Sequence, residues 1–175
     1  MPTELNTAPI TVVVAFYNAS SRVEALIENL RNLRPLPAQV VLVNDGSTDD
    51  TLAKLQQATE GLDNYEVVTK PNGGPASARN AGIARAGQPW VAFTDDDCLP
   101  DSAWLGQFMQ AAEAHKDCSV FFGRIIATGD LSYLSHFVEN HGGGHHTANA
   151  MYRRDLLSQL GGFDEAFRVQ EDTDL

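Results

Sequence analysis

The sequence contains few cysteines and no long apolar stretch. Its 175 residues include two cysteines, Cys98 and Cys118, whose spacing is not that of a metal site. We therefore expect two free thiols in a reducing compartment. The first ten residues lack the basic and apolar regions of a signal peptide, and no stretch approaches the ~18 apolar residues of a transmembrane helix. We predict a cytoplasmic protein, which would reach the cytoplasmic face of a membrane only through additional segments.

Positive charge is also scarce. Lysine and arginine together number 12, against 23 aspartates and glutamates, so the formal net charge is −11. Such a surface repels nucleic acid and anionic membranes, and we expect neither as a main partner. An anionic ligand would need a cation as mediator. The length and the 43% of hydrophobic residues suit one domain with a sizeable core, which we place at residues 1–175.

Two glycine-rich phosphate-binding motifs are missing. The first apolar run is not followed by G-x-G-x-x-G, and no Walker A motif occurs. The dinucleotide-binding and P-loop classes are therefore excluded. A nucleotide held by its base, its ribose and a metal-bridged diphosphate remains compatible with the sequence.

Apolar, β-branched runs alternate with helical patterns along the chain. We predict strands over residues 10–16, 40–43, 65–69 and 90–93, with a helix after each of them. We assign the first helix a capping box at 21–24 and the second a cap at Ser47 or Thr48. Pro75 and Pro100 are expected to open the next two helices. This alternation predicts right-handed βαβ units in an α/β fold with a mostly parallel sheet flanked by helices.

The pattern is weaker after Cys118. We predict a strand over 119–126, a short helix over 131–138, a glycine-rich loop at 141–146, an extended stretch over 147–152 and a helix over 154–160 that ends at Gly161. The adjacent His145 and His146 would point to opposite faces of an extended segment, so histidine ligation of a metal is not favoured. Because the sequence stops at the apparent start of a helix, we expect it to be truncated at its C-terminus.

Polar residues follow each of the four predicted strands. They are Tyr17-Asn18, Asn44-Asp45, Lys70 with the P-N-G-G loop, and Asp95-Asp96-Asp97. Ligands of open parallel sheets bind at the carboxyl ends of the strands. Three adjacent carboxylates repel one another, and a divalent cation such as Mg²⁺, which binds one or two carboxylates plus substrate phosphates, would relieve the repulsion. A solvated acidic turn is the alternative.

The motifs VAFYN, VNDGSTDDT, PNGGPASARNAG, FTDDD and GGFDE…EDTDL stand in the order that is typical of one enzyme family. From residue 10 to residue 175 the chain resembles the family 2 glycosyltransferases. The resemblance implies a GT-A, Rossmann-like fold and inverting transfer of a sugar from a nucleotide-diphosphate sugar, with Mn²⁺ or Mg²⁺ as cofactor. The expected donor is a UDP-sugar, with guanine or thymine donors left open, and the expected acceptor is a saccharide or a lipid-linked acceptor.

The same resemblance implies roles for residues at matching positions. The catalytic base would be Asp172, and the metal ligands Asp95 and Asp97. The nucleotide-binding residues would be Ala15, Phe16, Tyr17, Asp45, Arg79, Asp95 and Asp96. Asn44 departs from the family pattern, because many members have an aspartate at that position.

Several alternatives remain open at this level. Asp45-Gly46 could form only a turn, Arg79 could be a helix-surface charge, and the carboxylates of residues 171–174 could mark a helix N-terminus. The whole chain could be a non-catalytic nucleotide-sugar-binding module. A nucleotidyltransferase is disfavoured because AFYNASSR lacks the glycine-rich, basic loop expected after the first strand.

Overall fold

The computed structural model describes residues 7–126 and 147–166. Strands and helices alternate through most of this part of the chain. The strands are β1 (Thr7–Phe16), β2 (Leu36–Asp45), β3 (Tyr65–Lys70), β4 (Trp90–Phe93), β5 (Val120–Phe122) and β6 (Ala150–Arg153). The helices are α1 (Val23–Arg31), α2 (Thr51–Ala58), α3 (Pro75–Ile83), α4 (Trp104–Ala114) and α5 (Arg154–Leu160), with a 3-10 turn at Thr147–Asn149.

These strands form one mixed sheet in the order β3-β2-β1-β4-β6-β5. The pairs β1–β2, β2–β3 and β1–β4 are parallel, whereas β6 is antiparallel to both β4 and β5. The prediction of a mostly parallel α/β sheet flanked by helices is confirmed. Because β1, β2 and β4 run side by side in the same direction, their carboxyl ends meet at one edge.

The continuous apolar run of β1 is explained by burial on both faces of the sheet. Val12 and Val14 pack into a core with the buried face of α1, while Val13 packs into a second core with α3 and α5. Alternate residues of a strand point to opposite faces, so both sets must be apolar. The approach of α3 is close: a methyl group on Gly82 would lie 2.2 Å from Cγ1 of Val13.

The predicted capping box of α1 is wrong. The residue preceding the helix is Arg22, and it makes no side-chain cap hydrogen bond. Glu24, which would complete the box, forms an ion pair with Lys54 of α2 at 3.2 Å. Glu24 thus pairs with the neighbouring helix instead of folding back onto the start of its own.

The predicted cap of α2 is also wrong, because the helix begins at Thr51. Ser47 Oγ instead accepts a hydrogen bond from the amide of Asn18 at 3.0 Å, and the Asn18 side chain in turn accepts one from the Thr48 amide. Asp49 accepts from the amide of Thr51 at 3.0 Å. The serine and threonine therefore join the ends of β1 and β2.

Helix α4 starts at Trp104, four residues after Pro100. The Asp101 carboxylate accepts a hydrogen bond from the amide of Ala103 and holds a turn ahead of the helix. The Trp104 indole then donates to Asn149 Oδ1 at 2.8 Å. The helix is thereby tied to the segment that precedes β6.

Other boundaries shift by a few residues. Strands β1 and β2 are longer than predicted and β5 is shorter, and 147–149 is a 3-10 turn where an extended stretch was expected. Helix α5 is confirmed, and Gly161 ends it with φ 83° in the left-handed region. The predicted helix over 131–138 and the loop at 141–146 lie outside the described residues. Among the described helices, none has the length and apolar character needed to span a membrane.

Candidate functional site

A cleft of about 330 Å³ opens at the carboxyl edge of the sheet. That volume lies within the range of small-molecule sites. All residues predicted to bind nucleotide or metal line it. The predicted catalytic base, Asp172, lies outside the described part of the chain. The lining residues are Ala15, Phe16, Tyr17, Arg22, Asp45, Asn72, Gly74, Pro75, Ala78, Arg79, Asp95, Asp96 and Asp97.

One wall of the cleft is organised around Asp45, the last residue of β2. Its side chain is 4% exposed. Oδ1 accepts from Lys70 Nζ at 2.6 Å and from the Gly73 amide at 3.0 Å. Oδ2 accepts from the Gly74 amide at 2.8 Å and from the Asn72 side chain at 3.2 Å. Four donors occupy the acceptor positions of a carboxylate, so Asp45 does more than form a turn with Gly46.

The loop after β3 can reach Asp45 because Gly46 has no side chain. A Cβ at this position would lie 2.6 Å from the backbone nitrogen of Asn72, and Gly46 has φ 70° in the left-handed region. Glycine adopts this conformation without steric cost. The loop then enters α3 through Gly74 and Pro75, which occupies the first turn of the helix as predicted.

The opposite wall carries the three adjacent carboxylates, and each has different surroundings. Asp95 pairs with Arg79 Nη2 at 2.9 Å, and Asp96 pairs with Arg22 Nη2 at 2.8 Å. Asp97 is exposed at the mouth of the cleft. The expected repulsion between neighbouring carboxylates is thus relieved at two positions by guanidinium groups. This arrangement was not foreseen from the sequence.

The two arginines differ in how visible they are in the sequence. Arg79 is 5% exposed, so the alternative of a helix-surface charge is excluded. Arg22 lines the cleft although the sequence suggested no role for it beyond the start of α1. Its partner Asp96 lies 74 positions further along the chain, and no local pattern signals a pair of that kind.

Burial alters the ionisation of two groups beside the cleft. It raises the pKa of Asp96, while the hydrogen bond from Arg22 acts in the opposite direction. Burial and the charges of Asp95 and Asp97 raise the pKa of the Cys98 thiol to about 12. At neutral pH Cys98 is therefore a protonated and weakly nucleophilic thiol. Both Cys98 and Cys118 are free, as expected.

The GGFDE motif packs behind the carboxylate wall. Phe163 is 2% exposed and lies edge-on to Phe93, the last residue of β4, with ring centroids 5.6 Å apart. Asn80 of α3 is bonded to both backbone groups of Phe163. Asp164 accepts from the Ala166 amide at 2.8 Å, which agrees with the capping role considered for it.

Asp172 and its acidic neighbours, and the three histidines of the 141–146 segment, lie outside the described residues. Their roles stay predictions.

The carboxylates of the cleft suit a cation that takes part of its coordination from a bound ligand. Residues 7–126 and 147–166 contain no group of three or more histidine, cysteine, aspartate or glutamate side chains arranged to hold a metal. This part of the chain therefore does not supply a complete set of metal ligands by itself. Asp95 and Asp97 nevertheless fit Mg²⁺ or Mn²⁺ binding of the kind in which one or two carboxylates act together with substrate phosphates.

Solved structures define the class of fold. Over 93% of this chain, Staphylococcus aureus TarS 1-349, solved in complex with UDP, superposes with a TM-score of 0.76 at 22% identity, and the match covers 52% of that chain. The mannosyltransferase PcManGT from Pyrobaculum calidifontis, solved with GDP-Man and Mn²⁺, gives a TM-score of 0.75 at 23% identity, covering 94% of this chain and 50% of the other. The fold is the GT-A fold of glycosyltransferases, as the resemblance implied.

The sequence comparisons give the family. The family model "Glycosyl transferase family 2" matches residues 11–162, and the chain belongs to this family. The putative glycosyltransferase EpsH of Bacillus subtilis (strain 168) is 26% identical over 113 residues, which are 65% of this chain and 33% of EpsH. The poly-beta-1,6-N-acetyl-D-glucosamine synthase of S. aureus (strain COL) is 33% identical over 92 residues, 53% of this chain and 22% of the synthase. Each match spans about a third or less of the relative's length.

Proposed function

We propose that the chain binds a nucleotide-diphosphate sugar in the cleft and transfers the sugar, with inversion, to an acceptor hydroxyl. The observation that carries this proposal is the meeting of the Asp45 loop, the Arg79–Asp95 pair and Asp97 in one cleft at the carboxyl edge of the sheet. Family membership supports glycosyl transfer as the reaction class. The acceptor class that we propose is a saccharide or a lipid-linked acceptor.

The nucleotide is expected to lie between the two walls of the cleft. Ala15, Phe16 and Tyr17 border the base side, and the 50% exposure of Tyr17 leaves much of its ring available for contact with a base. Asp45 and the loop that it holds complete this side. The TarS structures contain UDP or UDP-GlcNAc and the PcManGT structure contains GDP-Man, so fold relatives accommodate two different bases. We propose a UDP-sugar as the donor.

The diphosphate is expected beside the carboxylate wall, where Arg79 supplies positive charge. Asp95 and Asp97 are the residues that would hold a divalent cation, Mn²⁺ or Mg²⁺. When bound, such a cation neutralises charge on the departing diphosphate as a Lewis acid. Without it, a protein of net charge −11 would repel the diphosphate.

Asp172 is the proposed catalytic base, by its place in the EDTDL motif. It would accept the proton of the acceptor hydroxyl as that oxygen attacks the anomeric carbon and the bond to the diphosphate breaks. General base catalysis is typically worth ~10²–10⁴-fold. We expect Asp172→Asn to lose about that factor in transfer and to keep its affinity for nucleotide and metal.

The test is release of nucleoside diphosphate from UDP-GlcNAc and GDP-mannose, with Mn²⁺ and a panel of saccharide and lipid-linked acceptors. Asp174→Asn, a substitution of the same type two positions away, serves as the control and should retain activity. If Asp172→Asn transferred sugar at the parent rate, the assignment of the base would be wrong. Donor binding without acceptor-dependent release in the parent would favour the binding-module alternative.

Two further proposals concern the chain as a whole. We propose that residues 1–175 form one glycosyltransferase domain of a larger protein, in line with the partial coverage of the relatives. A cytoplasmic location, with any membrane contact supplied by other segments, stays a prediction from the sequence.

A further inference from the structure

Asn80 forms an unusually complete connection between α3 and the segment that follows α5. Its side-chain amide donates to the carbonyl of Phe163 at 2.9 Å, and its carbonyl oxygen accepts from the Phe163 amide at 2.8 Å. The same amide group donates to Glu165 Oε1 at 3.0 Å. One asparagine thus satisfies both backbone groups of Phe163, in the way that a neighbouring strand would.

The Phe163 ring extends this connection to the cleft. The guanidinium carbon of Arg79 lies 5.8 Å from the ring centroid, and Phe93 packs against the same ring edge-on. Arg79 pairs with Asp95, which follows Phe93 by two positions. The ring therefore contacts both the residue that leads into the carboxylate wall and the cation that pairs with it.

Close packing leaves no room for a side chain at the position before Phe163. Gly162 has φ 80°, and a Cβ there would lie 2.4 Å from Oδ1 of Asn80. The backbone of Gly162 and Phe163 is therefore pressed directly onto the Asn80 amide. This geometry fixes the register between the two segments as well as their distance.

We propose that Asn80 is a positioning residue that fixes residues 162–165 against the carboxylate wall. Through the Phe163 ring it thereby holds Arg79 and the end of β4 in place beside the cleft. This proposal rests on the proposed function, because it takes the Arg79–Asp95 pair as the group that faces the departing diphosphate in the transfer step. Loss of Asn80 is then expected to impair transfer more than nucleotide binding. A misplacement of ~1 Å can cost about 10²-fold in rate.

The contact itself is tested by amide hydrogen exchange of the 175-residue chain. Asn80→Ala removes all three hydrogen bonds, and Asn80→Asp removes the donors without changing the shape of the side chain. We expect exchange at Phe163 to accelerate by roughly tenfold to a hundredfold in Asn80→Ala, which removes the acceptor of the Phe163 amide, and by less in Asn80→Asp, which keeps that acceptor. Asn64→Ala is the matched control: Asn64 donates to the carbonyl of Pro37 at 3.1 Å, away from the cleft, and should leave Phe163 unaffected.

The positioning role is tested by comparing two quantities in the same variants. Calorimetry with UDP and Mn²⁺ measures nucleotide affinity, and release of UDP from UDP-GlcNAc measures turnover. We expect Asn80→Ala to bind UDP within about threefold of the parent and to lose about 10²-fold in turnover, whereas Asn64→Ala changes neither. Equal losses of affinity and turnover, or no loss of turnover, would overturn the proposal.

Failure of the proposed function gives a different result. A parent chain that neither binds nor turns over UDP-GlcNAc or GDP-mannose would refute the proposed function and the positioning of a transfer step with it. Exchange at Phe163 would still accelerate in Asn80→Ala, so the two failures can be told apart. Unchanged exchange in both Asn80 variants would refute the contact whatever the activity.

Discussion

Replacing Lys70 by methionine removes the charged partner of a nearly buried carboxylate. The Lys70 ammonium lies 2.6 Å from Asp45 Oδ1, and the two side chains are 20% and 4% exposed. Methionine keeps most of the aliphatic stem and removes the ammonium. The variant therefore probes the charge of Lys70 with little change in packing.

The size of the effect follows from what Asp45 retains. Removing one partner of a fully buried ion pair costs about 3–5 kcal/mol, because the remaining charge is left without compensation. Asp45 still has donors from the side chain of Asn72 and the amides of Gly73 and Gly74, and Lys70 is partly in solvent. A single hydrogen bond to a charged group contributes about 1.5–3 kcal/mol. We expect Lys70→Met to lower the free energy of unfolding by about 2 kcal/mol.

Equilibrium unfolding in urea measures this loss. Lys54→Met is the matched control, because Lys54 pairs with Glu24 at 3.2 Å with side chains that are 36% and 75% exposed. Removal of an exposed pair of this kind should change the free energy of unfolding by less than about 1 kcal/mol. If Lys70→Met cost no more than Lys54→Met, the view of Asp45 as the anchor of the glycine loop would be wrong.

Three further predictions address other parts of the fold and the site. Hydrogen bonds from Thr51 lower the pKa of Asp49 to about 2, so the stabilisation that Asp49 provides is present above its unfolded-state pKa near 3.8 and is lost as the pH falls toward 2. An acid titration followed by circular dichroism should show that Asp49→Asn removes this part of the acid transition. An unchanged acid profile would contradict the prediction. Gly82→Ala should lower the free energy of unfolding in urea by about 1–3 kcal/mol, because the added methyl group meets Val13. Combined with Val13→Ala, it should cost less than the sum of the two single changes. Simple additivity of the two changes would argue against the clash. Asp97→Ala should weaken UDP binding in calorimetry with Mn²⁺ and leave UDP binding without metal unchanged. If the variant bound UDP in Mn²⁺ with the affinity of the parent, the assignment of Asp97 to the metal site would be wrong.

The architecture could be predicted because local patterns determine it. The apolar runs at β1 and β4 and the proline at the start of α3 are features of a few consecutive residues. A parallel arrangement then brings the residues after each strand to one edge without any knowledge of their contacts. For this reason Asp45 and Asp95 could be expected at one edge before any distance was known, whereas Arg79, which lies within α3, was expected there only from the family resemblance.

The partners of these residues could not be predicted. The pairing of Asp96 with Arg22 and the binding of Asp45 by the loop after β3 depend on the way in which distant segments pack. Helix caps failed for the same reason: the Ser47 hydroxyl bonds to Asn18 of another segment, and α2 begins only at Thr51. Local motifs identify groups that are able to bond, and tertiary structure decides which bonds they make.

The central claim is that the cleft at the carboxyl edge holds a nucleotide-diphosphate sugar. Titration calorimetry of the chain with UDP-GlcNAc and with GDP-mannose, each with and without Mn²⁺, tests it most directly. The account predicts saturable binding of at least one donor, strengthened by Mn²⁺ and abolished by an excess of the matching nucleoside diphosphate. Absence of binding by either donor to the folded chain at millimolar concentration, with Mn²⁺ present, would contradict it.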